Sequence, residues 1–167
     1  GRETGAYLVA HPGVDKVAFT GSTEVARLIR EQLSGRTLED GSPVPLVAET
    51  GGQNALVVDT SALTEQVVLD VLASAFDSAG QRCSALRVLC LQEECADRTL
   101  TMLKGATAEL AVGNPARLST DVGPVITAEA RDGIEKHIAA MREKGHAITQ
   151  VQLPDAARHG TFVAPTI

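Results

Sequence analysis

Apolar and polar residues recur with two different spacings along this chain, and the spacings separate strands from helices. Short apolar runs typical of strands occur at residues 14–20, 44–49, 54–59 and 85–92. Apolar residues three and four positions apart predict helices at residues 22–35, after Ser61 as far as Gly80, and near residues 96–110 and 126–141. The first residues are predicted as coil, and the closing TFVAPTI is compatible with one more strand. This alternation predicts an α/β fold with a largely parallel sheet.

Composition narrows the class of protein. With 167 residues, 44% of them hydrophobic and 22% charged, the chain is typical of a soluble globular domain or of pieces of two domains. The net charge of -6 is spread out, and no lysine and arginine cluster predicts nucleic-acid binding. No apolar run reaches the roughly 20 residues that span a bilayer, and the first residues lack a signal-peptide pattern. A cytoplasmic protein without a membrane span is therefore expected.

The segment FTGSTEVA, residues 19–26, places a glycine between a predicted strand and a predicted helix. Ser22 is a natural N-cap, and the free N–H groups and helix dipole at such a turn attract phosphate. Gly21 removes the side chain that would block a close approach. Because the full GxGxxG pattern is missing, a plain connection between strand and helix stays open as well.

A carboxylate follows the second predicted strand in VAETGGQN, where Glu49 precedes two glycines. The carboxyl ends of strands are where α/β proteins usually build their sites, and partial burial there would make Glu49 a better general base. An exposed carboxylate at a strand end is the simpler alternative, because glutamate is mostly exposed in proteins.

The three cysteines differ in their surroundings, and they show no CxxC pair or neighbouring histidine that would indicate a disulfide framework or a metal site. Cys83 follows a helix and has Arg82 beside it; the cation favours a thiolate, whereas the negative end of the helix dipole opposes one. A nucleophile and a structural cysteine both remain open. Cys90 lies in a strand apolar on both faces, so it is predicted as core in a sheet covered on both sides. Cys95 lies beside three acidic residues, whose charges disfavour a thiolate.

Three motifs occur together in the order FTGSTEVA, ETGGQNA and GQRCSA. This combination resembles the aldehyde dehydrogenase superfamily. The stretches AETGGQNALVVD and SAFDSAGQRCSALRVLCLQ are most similar to the L-glutamate γ-semialdehyde (1-pyrroline-5-carboxylate) dehydrogenase branch, in the form found in bacterial bifunctional proline-utilisation proteins. The resemblance implies part of a Rossmann-like aldehyde dehydrogenase fold with a parallel sheet. Residues 1–48 would be the C-terminal half of the NAD-binding domain, and residues 49–167 the N-terminal part of the catalytic domain.

The same resemblance implies the catalytic and substrate-binding residues. Cys83 matches the nucleophile of the family and Glu49 the general base. Arg82 and Ser84 flank the nucleophile where this branch engages the α-carboxylate of the substrate. A guanidinium group and a hydroxyl group are donors that suit a carboxylate.

NAD is the cofactor that the resemblance implies, and no metal is expected. Gly21 and Ser22 match the turn that approaches the pyrophosphate, and Val25 lies where such enzymes pack the adenine. Thr50 and Gly51 match the backbone near the nicotinamide.

The implied reaction is the NAD-dependent oxidation of L-glutamate γ-semialdehyde to L-glutamate, through a thiohemiacetal and a thioester on the cysteine. The chain is expected to be a piece of a longer, homo-oligomeric enzyme, and to be inactive alone, because other residues of the family site fall outside it. A noncatalytic nucleotide- or phosphate-binding module with a structural cysteine is the alternative. A thiol redox protein ranks last, since no CxxC partner exists.

Overall fold

The computed structural model describes all 167 residues and contains five α-helices and four β-strands. In chain order these are α1 (Arg2–Ala10), β1 (Val17–Thr20), α2 (Thr23–Leu33), β2 (Leu46–Glu49), β3 (Asn54–Val58), α3 (Thr64–Phe76), β4 (Leu86–Leu91), α4 (Glu93–Ala108) and α5 (Ala128–Glu143). Two short 3₁₀ segments follow α3 and α5, at Asp77–Gly80 and Asp155–His159. None of the helices combines the length and the apolarity that crossing a membrane would require.

The first compact unit, Gly1–Gly52, is built on the parallel strands β1 and β2. Parallel neighbours need a crossover, and α2 provides it. The pairing runs from Val17 opposite Leu46 to Thr20 opposite Glu49, so both strands end at the same edge. The core of the unit contains Val9, Leu33 and Val44, with Val17, Ile29, Leu38 and Leu46 packed against it.

The second compact unit, Gln53–Ile167, repeats the arrangement with β3 and β4 parallel and α3 between them. Its core consists of buried aliphatic residues from β3, α3, β4 and α4: Val58, Val67, Val68, Val71, Leu86 and Leu103. Two parallel pairs with helical crossovers confirm the predicted α/β class, and the helices predicted after Ser61, near residue 96 and near residue 126 are all present.

One face of the β3–β4 sheet is uncovered, which corrects the prediction that β4 is buried on both sides. Leu56 and Leu89 alternate onto the covered face and pack against the core. The opposite face carries Val57, which is 81% exposed, and Val88, which is 43% exposed. Cys90 lies in the same alternation and is exposed, so its prediction as a core residue is wrong. Apolar residues on both faces show that a strand is suited to burial on both faces, but in this chain other elements pack against only one face of β4.

Both ends of the chain also differ from the predictions. The first residues form α1 rather than coil, because Val9 is buried in the core and the Gln32 amide donates to the Ala6 carbonyl oxygen at 2.9 Å. Tertiary contacts with α2 thus override a weak local pattern. At the other end, Thr149 and Ile167 exchange two backbone hydrogen bonds of 2.8 and 2.9 Å, which gives an antiparallel bridge rather than a full strand.

Candidate active site

The glycine turn, Gly21 and Ser22, connects β1 to α2 in the first unit. The Gly21 N–H donates to the Glu49 carbonyl oxygen at 3.1 Å, so the turn begins as a continuation of the strand pairing. The Ser22 hydroxyl oxygen then accepts from the Val25 N–H at 3.2 Å, which confirms the predicted N-cap. These contacts bring Gly21 and the end of β2 together at one edge of the sheet.

The glycine turn combines a closely packed glycine with N–H groups that are free to donate. A Cβ at position 21 would lie 2.5 Å from the Phe19 ring, so a side chain cannot be added there without moving the ring. The first-turn N–H groups of Thr23 and Glu24 have no intrahelical partner and can donate to an anion. Val25 is 42% exposed and offers an apolar surface on the same turn of α2. The Glu24 carboxylate also lies in this turn and opposes a second negative charge.

Glu49 is the last residue of β2, and its side chain is exposed. Thr50 follows half-buried, and Gly51 is exposed with no heavy atom within 4 Å of an added Cβ. The backbone at this strand end is therefore open to a ligand. The structure places Glu49 at a carboxyl edge of the first unit, as the sequence pattern suggested, but without the partial burial that would make it a better general base.

The cysteine turn, Arg82–Ala85, immediately precedes β4 in the second unit. The Ala85 N–H donates to the Arg82 carbonyl oxygen at 3.1 Å, which leaves Cys83 and Ser84 as the two central residues of the turn. Both are exposed, whereas Ala85 is only 1% exposed and anchors the turn to the core. The structure therefore presents the thiol of Cys83 at the tip of a well-anchored turn.

A left-handed segment links α3 to the cysteine turn. Ser78 and Ala79 have φ of 55° and 53°, and Gly80 follows with φ of 66°. Two consecutive non-glycine residues in this region are strained by about 1–2 kcal/mol each, and such strain persists only where the surroundings fix it. Gly80 is buried, and a Cβ there would lie 2.8 Å from the Ala75 carbonyl oxygen. The chain therefore reaches Cys83 by a path that glycine alone permits at position 80.

Three side chains that the sequence analysis did not single out hold this region in place. The Asn54 amide donates to the carbonyl oxygens of Cys83 and Ala85, at 2.8 and 2.9 Å. The Arg87 guanidinium donates to the Gly80 carbonyl oxygen at 2.6 Å. The Gln81 side-chain oxygen accepts from the Ile126 N–H at 2.8 Å. No local pattern indicates these contacts, and the only signal was that Asn54 belongs to the ETGGQNA motif and Gln81 to the GQRCSA motif.

Arg82 and Ser84 both line a shallow groove of about 290 Å³ beside the cysteine turn. The Arg82 guanidinium donates to the Ala73 carbonyl oxygen at 2.7 Å and lies 4.0 Å from the Asp77 carboxylate. Arg82 therefore also caps the end of α3. The groove carries charges of both signs, since its lining consists of Asp70, Ala73, Ser74, Asp77, Arg82 and Ser84.

The other cysteines and the perturbed carboxylates lie away from this groove lining. The Cys95 thiol donates to the Gln92 carbonyl oxygen at 3.3 Å at the start of α4, where the thiol is only partly exposed. Hydroxyl and N–H donation by Ser61 lowers the pKa of Asp59, and Ser42 lowers the pKa of Asp40 in the same way. Both carboxylates close local loops, so these shifts mark turns rather than a catalytic centre.

The residues predicted for the site divide between the two units. Gly21, Ser22, Val25, Glu49, Thr50 and Gly51 belong to the first unit, and Arg82, Cys83 and Ser84 to the second. Each unit brings its own members together, around the glycine turn and around the cysteine turn.

Comparison with known proteins identifies a family over the whole chain. A protein-family sequence model described as "Aldehyde dehydrogenase family" matches residues 1–167. A bifunctional protein PutA from Klebsiella aerogenes is 60% identical over 100% of this chain, and a 1-pyrroline-5-carboxylate dehydrogenase from Bacillus cytotoxicus is 36% identical over 100% of it. The chain spans 13% of the length of the first and 32% of the second.

A solved structure supports the same relationship in three dimensions. A betaine aldehyde dehydrogenase double mutant from Staphylococcus aureus, crystallised with NAD⁺ and a BME-modified cysteine, superposes with a TM-score of 0.87. It is 28% identical, and the match covers 97% of this chain and 32% of that one.

Proposed function

The chain belongs to the aldehyde dehydrogenase family, and from this membership we propose that it is part of an NAD-dependent L-glutamate γ-semialdehyde dehydrogenase that acts in proline catabolism. The observation that carries the proposal is the exposed Cys83 at the tip of an anchored turn, in the motif that the family uses for its nucleophile. The relatives named PutA and 1-pyrroline-5-carboxylate dehydrogenase support the substrate class.

Cys83 acts as the nucleophile in the proposed reaction. Its thiolate attacks the aldehyde carbon and forms a thiohemiacetal, whose oxyanion is stabilised by the backbone N–H of Cys83. Loss of hydride from that carbon leaves a thioester on the sulfur. Water deprotonated by Glu49 then adds to the thioester, and the C–S bond breaks to release glutamate and the free thiol.

The glycine turn and the end of β2 are proposed to hold NAD. Gly21 and Ser22 receive the pyrophosphate, the exposed side chain of Val25 packs on the adenine, and Thr50 and Gly51 lie along the nicotinamide. The open N–H groups in the first turn of α2 support this assignment. When bound, NAD accepts the hydride that leaves the substrate carbon.

Arg82 and Ser84 are proposed to recognise the α-carboxylate of the substrate. They line the groove beside the cysteine turn, together with Asp70 and Asp77. L-Glutamate γ-semialdehyde carries an ammonium group as well as a carboxylate, so a groove with charges of both signs suits it.

Replacement of Cys83 tests the proposed function in the full-length protein that contains this chain. Cys83→Ala is expected to lower kcat for semialdehyde oxidation by on the order of 10⁴-fold or more, because the covalent step is lost. The dissociation constant of NAD should change by less than about twofold, since the cofactor residues are elsewhere in the sequence. Steady-state kinetics and NAD titration measure the two quantities.

Cys90→Ala is the matched control, because Cys90 is also an exposed cysteine on the same unit. Its turnover should equal that of the unsubstituted protein. Undiminished turnover in Cys83→Ala would refute the nucleophile. NAD binding without any aldehyde oxidation in the unsubstituted protein would favour the noncatalytic nucleotide-binding module.

The 167-residue chain alone is expected to show no turnover, because we propose that further site residues come from a longer polypeptide. In this proposal residues 1–48 belong to the NAD-binding domain and residues 49–167 to the catalytic domain of a cytoplasmic homo-oligomer. Three free cysteines agree with a reducing compartment. An assay of the isolated chain with NAD and semialdehyde checks the first point, and clear turnover would contradict it.

A further inference from the structure

Asn54 contacts the cysteine turn through both hydrogens of its side-chain amide. Its Nδ2 donates to the Cys83 carbonyl oxygen at 2.8 Å and to the Ala85 carbonyl oxygen at 2.9 Å. The turn itself is closed by the bond from the Ala85 N–H to the Arg82 carbonyl oxygen at 3.1 Å. One side chain therefore holds the backbone on the C-terminal side of the sulfur-bearing residue at two points.

The pairing of β3 with β4 explains how Asn54 reaches the turn. Asn54 is the first residue of β3 and pairs with Leu86, the residue that follows the turn. The register then shifts, so that Ala55 pairs with Val88. Such an irregularity changes the direction of a side chain at the end of a ladder. Here it lies at the position whose side chain meets the carbonyl groups of Cys83 and Ala85.

The chemistry of the contact requires a primary amide. A single NH₂ group supplies two donors to two carbonyl oxygens, which neither an aspartate nor a leucine at this position can do. An aspartate would place carboxylate oxygens against carbonyl oxygens. A leucine has the same branched shape with a larger volume, and it would leave both carbonyl groups without their partner.

We propose that Asn54 is a positioning residue for the nucleophile, an inference that rests on the proposed function of Cys83. By fixing the carbonyl groups of Cys83 and Ala85, Asn54 restricts the backbone rotation that would move the sulfur and the neighbouring N–H groups. Reaction at a carbonyl carbon depends on this geometry, and a displacement of about 1 Å can cost on the order of 100-fold in rate. Asn54 itself touches neither the substrate nor the cofactor in this role.

Two substitutions in the full-length protein test the inference. Asn54→Leu removes both donors without adding charge, and Asn54→Asp keeps the shape but reverses the hydrogen-bonding character. Asn114→Asp is the matched control, because the Asn114 side-chain oxygen accepts from the Ala116 N–H at 3.0 Å and an aspartate can still accept. For each variant, iodoacetamide modification is quantified on the peptide that contains Cys83, because Cys90 is exposed as well, and kcat is expressed per reactive Cys83 thiol. The burst of NADH and the dissociation constant of NAD are measured alongside.

Both Asn54 variants are expected to lower kcat per reactive Cys83 thiol and the burst rate by about 100-fold. NAD affinity should stay within about twofold, and Asn114→Asp should match the unsubstituted protein. A merely structural role would reduce the number of reactive thiols but leave kcat per thiol unchanged, and that result would overturn the inference. Absence of turnover in the unsubstituted protein would contradict the proposed function instead, which keeps the two failures distinct.

Discussion

The glycine turn and the cysteine turn differ in the range of the side-chain hydrogen bonds that hold them, although the backbone of the glycine turn also bonds from Gly21 to Glu49 of the neighbouring strand. At the glycine turn, the Ser22 hydroxyl caps an N–H only three residues away, at 3.2 Å. At the cysteine turn, Asn54 donates across 29 and 31 residues, and the neighbouring Gln81 accepts from an N–H that lies 45 residues away. This difference agrees with the proposed roles, because a turn that binds a phosphate needs open N–H groups, whereas a turn that carries a nucleophile must also hold one sulfur atom in place.

The two turns also use glycine differently. Gly21 leaves room for the Phe19 ring, because a Cβ at position 21 would lie 2.5 Å from that ring. Gly80 provides both space and conformation, since its φ is 66° and an added Cβ would lie 2.8 Å from the Ala75 carbonyl oxygen. Moving the end of a side chain costs less than moving backbone. Of these two positions, position 80 is therefore where an added methyl group should destabilise the structure more.

Gly80→Ala is expected to have the largest structural effect on the cysteine turn. The left-handed φ and the backbone clash together should destabilise the segment by about 2 kcal/mol or more. In the full-length protein, amide hydrogens of Gln81 and Ala85, which donate to Ser78 and Arg82, should then exchange about 30-fold faster. Hydrogen exchange resolved to these peptides is the measurement, with iodoacetamide modification of Cys83 as a second readout.

Gly145→Ala separates the two causes, because Gly145 has φ of 85° but no heavy atom within 4 Å of an added Cβ. The conformational cost alone, about 1–2 kcal/mol, should appear there, and only at the end of α5. Equal exchange rates at Gln81 in Gly80→Ala and in the unsubstituted protein would show that the left-handed path is not needed. The claim that Gly80 is needed for its conformation, whereas Gly21 is needed only for space, would then be wrong.

Contact range also explains which features could be predicted from the sequence. The strand–helix–strand order and the Ser22 cap were predictable, because apolar spacing and capping residues lie within one turn of what they specify. The left-handed Ser78 and Ala79 were not, since neither residue is a type that favours positive φ. The hydrogen bonds of Asn54 and Gln81 could not be predicted, because their partners are distant in the chain.

Burial of the two faces of a strand could not be predicted from the sequence for the same reason, because it depends on distant parts of the chain. The sequence of β4 correctly indicated a strand, and its apolar residues on both faces suggested two covering layers. The structure covers the face of Leu89 and leaves Val88 and Cys90 exposed. Coverage of a face depends on which other segments pack there, and the strand itself carries no information about them. Exposure alone therefore did not distinguish Cys83 from Cys90, whereas the anchored turn around Cys83 does.

The smallest expected effect belongs to the glycine turn. Ser22→Ala removes the cap on the Val25 N–H and should cost about 1 kcal/mol, so amide exchange in the first turn of α2 should rise about fivefold. Thr127→Ala is the matched control, because Thr127 caps α5 through the Ala130 N–H at 3.1 Å and should produce a similar rise only in α5. Exchange at Gln81 and Ala85 should stay unchanged in both variants. Faster exchange there after the loss of Ser22 would show that the effect of this cap is not local, since a local cap leaves distant amides protected.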